Sequence, residues 1–193
     1  MKTFSLGAIL LSLSTVAASA NALHLNPQQP GSLANMKTFG RTSVPLGYIG
    51  YCERFQERCS VRERPARVKL TRQAWKQLTS VNWEINSRIE PVTDLDNFGT
   101  EEFWTYPATK GDCEDYALLK RKTLQERGFP LSSLLVTVVY DEDGGGHAVL
   151  TVVTDKGDFI LDNQEEEVLR WQDAELTYLK RQSAYDPNVW EKL

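Results

Sequence analysis

The chain has 193 residues, with 22 Lys and Arg against 26 Asp and Glu and a formal net charge of −4. That length suits one domain around a single sizeable core. The mild acidity and the lack of a basic stripe argue against a nucleic-acid partner, because nothing is placed to neutralise a phosphate backbone; the local cluster Arg62, Arg64, Arg67 and Lys69 reads as a solvated face.

The first residues read as an export signal. Lys2 gives a short positive start, Phe4 to Val16 is apolar apart from Ser, Thr and Gly, and Ala18-Ser19-Ala20 and Ala20-Asn21-Ala22 both offer small-x-small cleavage sites. The apolar run is too short for a comfortable membrane span, and no second run of spanning length follows. The expected organisation is a signal peptide over residues 1–22 and one domain over 23–193. The mature protein is expected to be periplasmic or secreted, with no stable membrane insertion.

Leu23 to about Ser43 is rich in Asn, Gln, Pro, Gly and Ser and reads as an arm with little regular structure. Of the three cysteines, Cys52 and Cys59 lie close together in one segment. In an oxidising compartment they are the natural disulfide, which leaves Cys113 as a free thiol.

A helix is expected from about Thr71 to Ile89, with Thr71 as N-cap and Pro91 as the stop. Ala74, Leu78, Val81, Ile85 and Ile89 recur at three- and four-residue steps and form its buried face, with Trp75 and Trp83 beside them as core. Val92 to Lys110 reads as a loop. A second helix follows, with Asp112 as N-cap, Cys113 on the first turn, and Gly128 and Pro130 beyond its end. Then the period changes. Strands are expected at Leu134–Tyr140, His147–Thr154 and Phe159–Asp162, with another near Leu176 to Arg181. Short connections between them favour an antiparallel sheet, so the fold class is α+β.

A thiol at a helix N-terminus is a candidate nucleophile, because unpaired N–H groups and the macrodipole favour the thiolate. It needs a base. Of the two histidines, His24 falls in the arm and His147 opens a strand just after Gly144-Gly145-Gly146. Asp162, at the end of the next strand, can orient that imidazole; Asn163 could serve in its place. Asp112, Glu114 and Asp115 crowd the same helix start. They stabilise the helix but raise the thiol pKa, a conflict that a bound hard cation such as calcium would relieve. Zinc fits less well, since one histidine and one unpaired cysteine are on offer. From these residues alone, N-capping and solvation account for the charges.

The segment Gly111-Asp112-Cys113-Glu114-Asp115-Tyr116-Ala117-Leu118-Leu119-Lys120 resembles the active-site motif of the bacterial transglutaminase-like cysteine proteinases. His147-Ala148-Val149-Leu150 resembles that family's histidine strand, and Leu161-Asp162-Asn163 its acidic element. Trp104 and Pro107 match the Trp and Pro ahead of its cysteine motif. The resemblance implies a papain-like or transglutaminase-like fold and a triad of Cys113, His147 and Asp162. Through the LapG-like periplasmic proteases it implies calcium held by Asp112 and Glu114, with Asp115 a weaker candidate, and a protein substrate such as a biofilm adhesin. Two other readings stay open: acyl transfer to an amine or hydrolysis of a glutamine amide, and a calcium-linked binding module without turnover.

Overall fold

The computed structural model describes residues 35–60 and 64–193; the signal segment, His24 and Arg62 lie outside the described residues. The chain opens with a short strand β1 (Arg41–Thr42), then helices α1 (Leu46–Arg54) and α2 (Gln56–Cys59). Helix α3 (Arg72–Arg88) follows, then β2 (Glu90–Pro91), α4 (Asp94–Phe98), β3 (Lys110–Gly111) and α5 (Cys113–Glu126). The second half is β4 (Leu134–Tyr140), β5 (Gly146–Thr154), β6 (Gly157–Leu161), β7 (Leu169–Arg170), β8 (Thr177–Gln182) and β9 (Trp190–Lys192). Seven strands form one antiparallel sheet in the order β1-β9-β8-β4-β5-β6-β7, and β2 and β3 pair in parallel apart from it. The architecture is the expected α+β fold.

The helices form where periodicity and capping agree. Thr71 caps α3, its hydroxyl accepting the N–H of Ala74 at 3.1 Å, and Ala74, Leu78, Val81, Ile85 and Ile89 are all buried. Trp75 packs edge-on against Phe159 of the sheet. Trp83 departs from expectation and is 62% exposed. It stands two residues from Val81 and from Ile85, a step of about 200° that turns it away from their face.

The N-terminal region is more structured than its composition suggests. Arg41 and Thr42 pair with Glu191 and Trp190, an end-to-end contact that no local pattern signals. Just before it, the backbone N–H of Met36 donates to Asp158, which also holds Arg181 in a buried ion pair at 3.0 Å. Cys52 and Cys59 are disulfide-bonded, one in each of the short helices α1 and α2.

The sheet has a core on each face. Leu134, Val136, Leu150, Val152 and Leu161 meet α3 and α5 on one side, together with Tyr48, Tyr51 and Trp190. Val139, Val149 and Ile160 face a smaller cluster with Met36, Trp171 and Tyr178 on the other. Alternation along β5 thus sends Leu150 and Val152 to the helices and Val149 to the opposite side. Among the described residues no helix is long and apolar enough to cross a membrane.

Candidate active site

The expected loop from Val92 to Lys110 contains α4. Thr93 caps it by accepting the N–H of Asp96 at 3.2 Å, and Gly99 ends it in the left-handed region at φ 73°. The β2–β3 pairing then brings residues 90–91 beside 110–111, so the start of α4 meets the start of α5. The close packing is recorded at Gly111. A Cβ there would lie 2.6 Å from Asp115 Oδ2 and 3.0 Å from Pro107 Cβ.

Asp112 stands at the N-cap position of α5, as expected, but its side chain makes no capping hydrogen bond. Its Oδ2 accepts the backbone N–H of Asp94 at 3.0 Å instead. The helix start therefore keeps its first-turn N–H groups clear of that carboxylate.

Cys113 is the first residue of α5, partly exposed, and the one free cysteine. Its thiol donates to Glu114 Oε2 at 3.1 Å. Burial pushes the thiol pKa well above its ordinary value, and the carboxylates of Glu114 and Asp112 push in the same direction; the backbone N–H of Ala148 opposes them. That N–H belongs to the residue next to His147, so the sulfur lies against the histidine strand.

His147 is buried near the start of β5. The register pairs Leu150 with Leu161, and Asp162, one residue past β6, reaches diagonally to the histidine. Its Oδ1 lies 2.8 Å from His147 Nε2. Asp162 also accepts the N–H of Gln164 at 2.9 Å, and its carbonyl accepts Asn86 Nδ2 at 2.8 Å, which ties the strand end to α3. Burial works against the charge of Asp162. The hydrogen bond and charge of His147, the Gln164 N–H and the buried Lys120 ammonium outweigh it and hold the carboxyl below its usual range. With Nε2 engaged, Nδ1 is the ring nitrogen left for a substrate-side proton.

Asp112 and Glu114, the expected metal ligands, come together with Asp94, from the stretch expected as a loop. One ligand oxygen from each lies within 4.8 Å of the others. Asp94 is buried, and its Oδ2 accepts the backbone N–H of Phe103. Oδ1 of Asp94 and Oδ1 of Asp112 are buried without a hydrogen-bond partner among the described residues. Burial first, then mutual repulsion, pushes Glu114 up to about 9, and burial raises Asp112 and Asp94 as well. Three crowded carboxylates with unsatisfied oxygens fit a hard cation, which would satisfy those oxygens and cancel the repulsion.

Asp115, the weaker ligand candidate, lies outside this group. Its Oδ1 accepts the N–H of Thr105 at 2.6 Å, and burial pushes it up to about 8. It fastens the Trp104 loop to α5. Asp94 lies 18 residues before Asp112, and no spacing rule links the two; the Thr-x-x-Asp pattern at Thr93 marks the small helix but not its ligand.

A thiol at a helix N-terminus, beside a strand whose histidine is backed by a buried carboxylate, has the parts for acyl transfer. A sequence profile of the bacterial transglutaminase-like cysteine proteinases matches residues 38–193. Among solved structures, calcium-bound LapG of Legionella pneumophila is similar with a TM-score of 0.50 at 26% identity, over 58% of this chain and 66% of that one. A second LapG structure gives 0.51 at 27% identity, over 60% and 67%, and an EGTA-treated LapG gives 0.50 at 28% identity, over 56% and 63%. The alignment thus spans about two thirds of the LapG chain. No curated protein matches.

Proposed function

This chain belongs to the bacterial transglutaminase-like cysteine proteinases, and from that premise we propose that it is an exported peptidase cleaving a protein substrate through an acyl-enzyme on Cys113. The observation that carries the reading is the buried His147–Asp162 pair, with His147 on the strand against which the free thiol lies.

In this mechanism the Cys113 proton passes to His147 Nδ1, and the thiolate adds to the scissile carbonyl. The imidazolium then protonates the departing amine, leaving a thioester. Water attacks the thioester with His147 as base, and the thiol is restored. Asp162 keeps the ring oriented and stabilises its protonated form. Cys113 opens α5, where the helix dipole favours negative charge.

Calcium is the cation we assign to Asp94, Asp112 and Glu114. When bound, it supplies positive charge beside the nucleophile. The donor set is all carboxylate, as a hard ion requires, and the similar LapG structures include calcium-bound and EGTA-treated forms. Glu114 would then turn its charge to the ion and leave the thiol to the imidazole. The Cys52–Cys59 disulfide and the signal-like residues 1–22 support export to an oxidising compartment. A large surface adhesin is the substrate class we favour, as the resemblance of the cysteine, histidine and acidic motifs to the LapG-like periplasmic proteases implies.

The test is cleavage of surface and secreted proteins of the source bacterium by wild type and Cys113→Ala, with calcium or EGTA and with a labelled primary amine. Fragments released by wild type in calcium alone are expected. Equal fragment patterns from both proteins would refute the reading, and stable amine labelling of glutamines without cleavage would replace hydrolysis by transamidation.

A further inference from the structure

Asn82 and Asn86 stand four residues apart on α3 and so share a face. Asn82 lies in the apolar stripe of that helix, between Leu78 and Ile85, and is fully buried. An apolar side chain would fill that place without losing water from an amide, and asparagine suits a helix interior poorly because its side chain competes for backbone hydrogen bonds. Both amides direct their donors at one segment, the turn between β6 and β7. Asn86 Nδ2 donates to the carbonyls of Asp162 and Glu165 at 2.8 and 3.1 Å. Asn82 Nδ2 donates to those of Glu165 and Glu166 at 3.0 and 3.1 Å. Their Oδ1 atoms are buried without partners among the described residues, so each amide is bonded through its donors alone.

The turn needs such a clamp. Asp162 stands one residue past the end of β6, where ladder bonds no longer fix the backbone, and residues 164–167 are exposed. Asp162 Oδ1 accepts the Gln164 N–H, and the same oxygen faces His147 Nε2. That local turn fixes the carboxylate relative to its own backbone. Asn86 fixes the backbone relative to α3. With that bond removed, the carboxylate would move with the turn, and a shift of about 1 Å in a catalytic group can cost about 10²-fold in rate.

We propose that Asn86 is a positioning residue of the triad, braced by Asn82, whose amide holds the Asp162 carbonyl so that the carboxylate stays within bonding distance of His147 Nε2. Its effect on turnover rests on the peptidase reading, but the geometry it imposes on His147 is measurable without substrate.

The experiment compares full-length variants. Asn86→Ala should release fragments from surface proteins of the source bacterium about 10- to 100-fold more slowly than wild type. Asn82→Ala removes the more buried amide yet leaves the Asp162 carbonyl bonded, so it should lower Tm more and the rate less. Ser87→Ala removes an exposed hydroxyl that bonds the Glu84 carbonyl of the same helix, and should leave the rate within about twofold. By proton NMR, without substrate, the low-field signal of His147 Nε2–H should be present in wild type and Asn82→Ala, and broadened or moved upfield in Asn86→Ala. In wild type alone, the Gln164 amide should be protected from hydrogen exchange despite its exposed loop. Rate losses that rank as the Tm losses do, an unchanged Nε2–H signal in Asn86→Ala, or free exchange at Gln164 would overturn the assignment. If the signal changes as expected while wild type cleaves nothing, the clamp stands and the peptidase reading fails.

Discussion

His147 and Asp162 are joined by a 2.8 Å hydrogen bond between Nε2 and Oδ1, and both side chains are withdrawn from solvent. The bond selects which ring nitrogen remains for the thiol. Asp162→Asn keeps the shape but removes the charge and unsettles the tautomer, so peptidase kcat/KM should fall by about 10³–10⁴. The folded-state pKa of Asp162 is depressed below 3.8. Its contribution to stability is therefore present above about pH 3.8 and lost as pH falls through the lower folded value. Thermal melts at neutral pH should separate the variant from wild type, and the gap should close progressively as pH falls below 3.8.

The carboxylates at the start of α5 have the opposite sign. Glu114 and Asp115 are pushed from 4.5 and 3.8 up to about 9 and about 8. In the cation-free protein the unfolded chain ionises first as pH rises, so stability falls between about pH 4 and pH 9. Excess calcium should reverse that loss at Glu114 by pairing with the ionised carboxylates. The rise in Tm on adding calcium is expected to be near zero at about pH 5 and several degrees at about pH 8, since a ligand at 100 times its Kd is worth about 2.7 kcal/mol. An increment that shrinks with rising pH would contradict the assignment.

Asp94 separates the cluster from an ordinary acidic helix start. Asp94→Asn should abolish the calcium-dependent rise in Tm and lower activity about 10- to 100-fold. Asp96→Asn, two residues along the same helix and exposed, should leave both within error. Isothermal titration of calcium into the two variants checks the comparison directly.

Cys52 and Cys59 close a loop seven residues apart in sequence that anchors the two N-terminal helices to the core through buried Tyr48, Tyr51 and Cys59. Reduction should cost about 2–3 kcal/mol, the loop-closure entropy returned to the unfolded chain. Denaturant midpoints with and without reductant measure it, and selective blocking of Cys113 beforehand should not change the difference.

Helix α3 and the strands from Leu134 to Leu161 were legible from the sequence because their buried faces repeat at 3.6 or 2 residues and capping or turn residues bound them. Cys113 and His147 were legible for a different reason. Each is scarce, and each stands at an element boundary where it can act. Trp83 shows where the pattern misled, since a large aromatic beside a stripe need not face inward. Strands β1, β7 and β9 were not legible, because two- and three-residue strands exist only through partners distant in sequence. Asp94 is the same case at the site. Nothing near it in sequence is catalytic, and it joins Asp112 and Glu114 through the pairing of β2 with β3. Local sequence determined which groups could ionise, cap or attack, since those properties belong to single residues and their immediate neighbours. Tertiary packing decided which of them meet and which carboxylates lose their water, because distance and burial are properties of the folded chain alone.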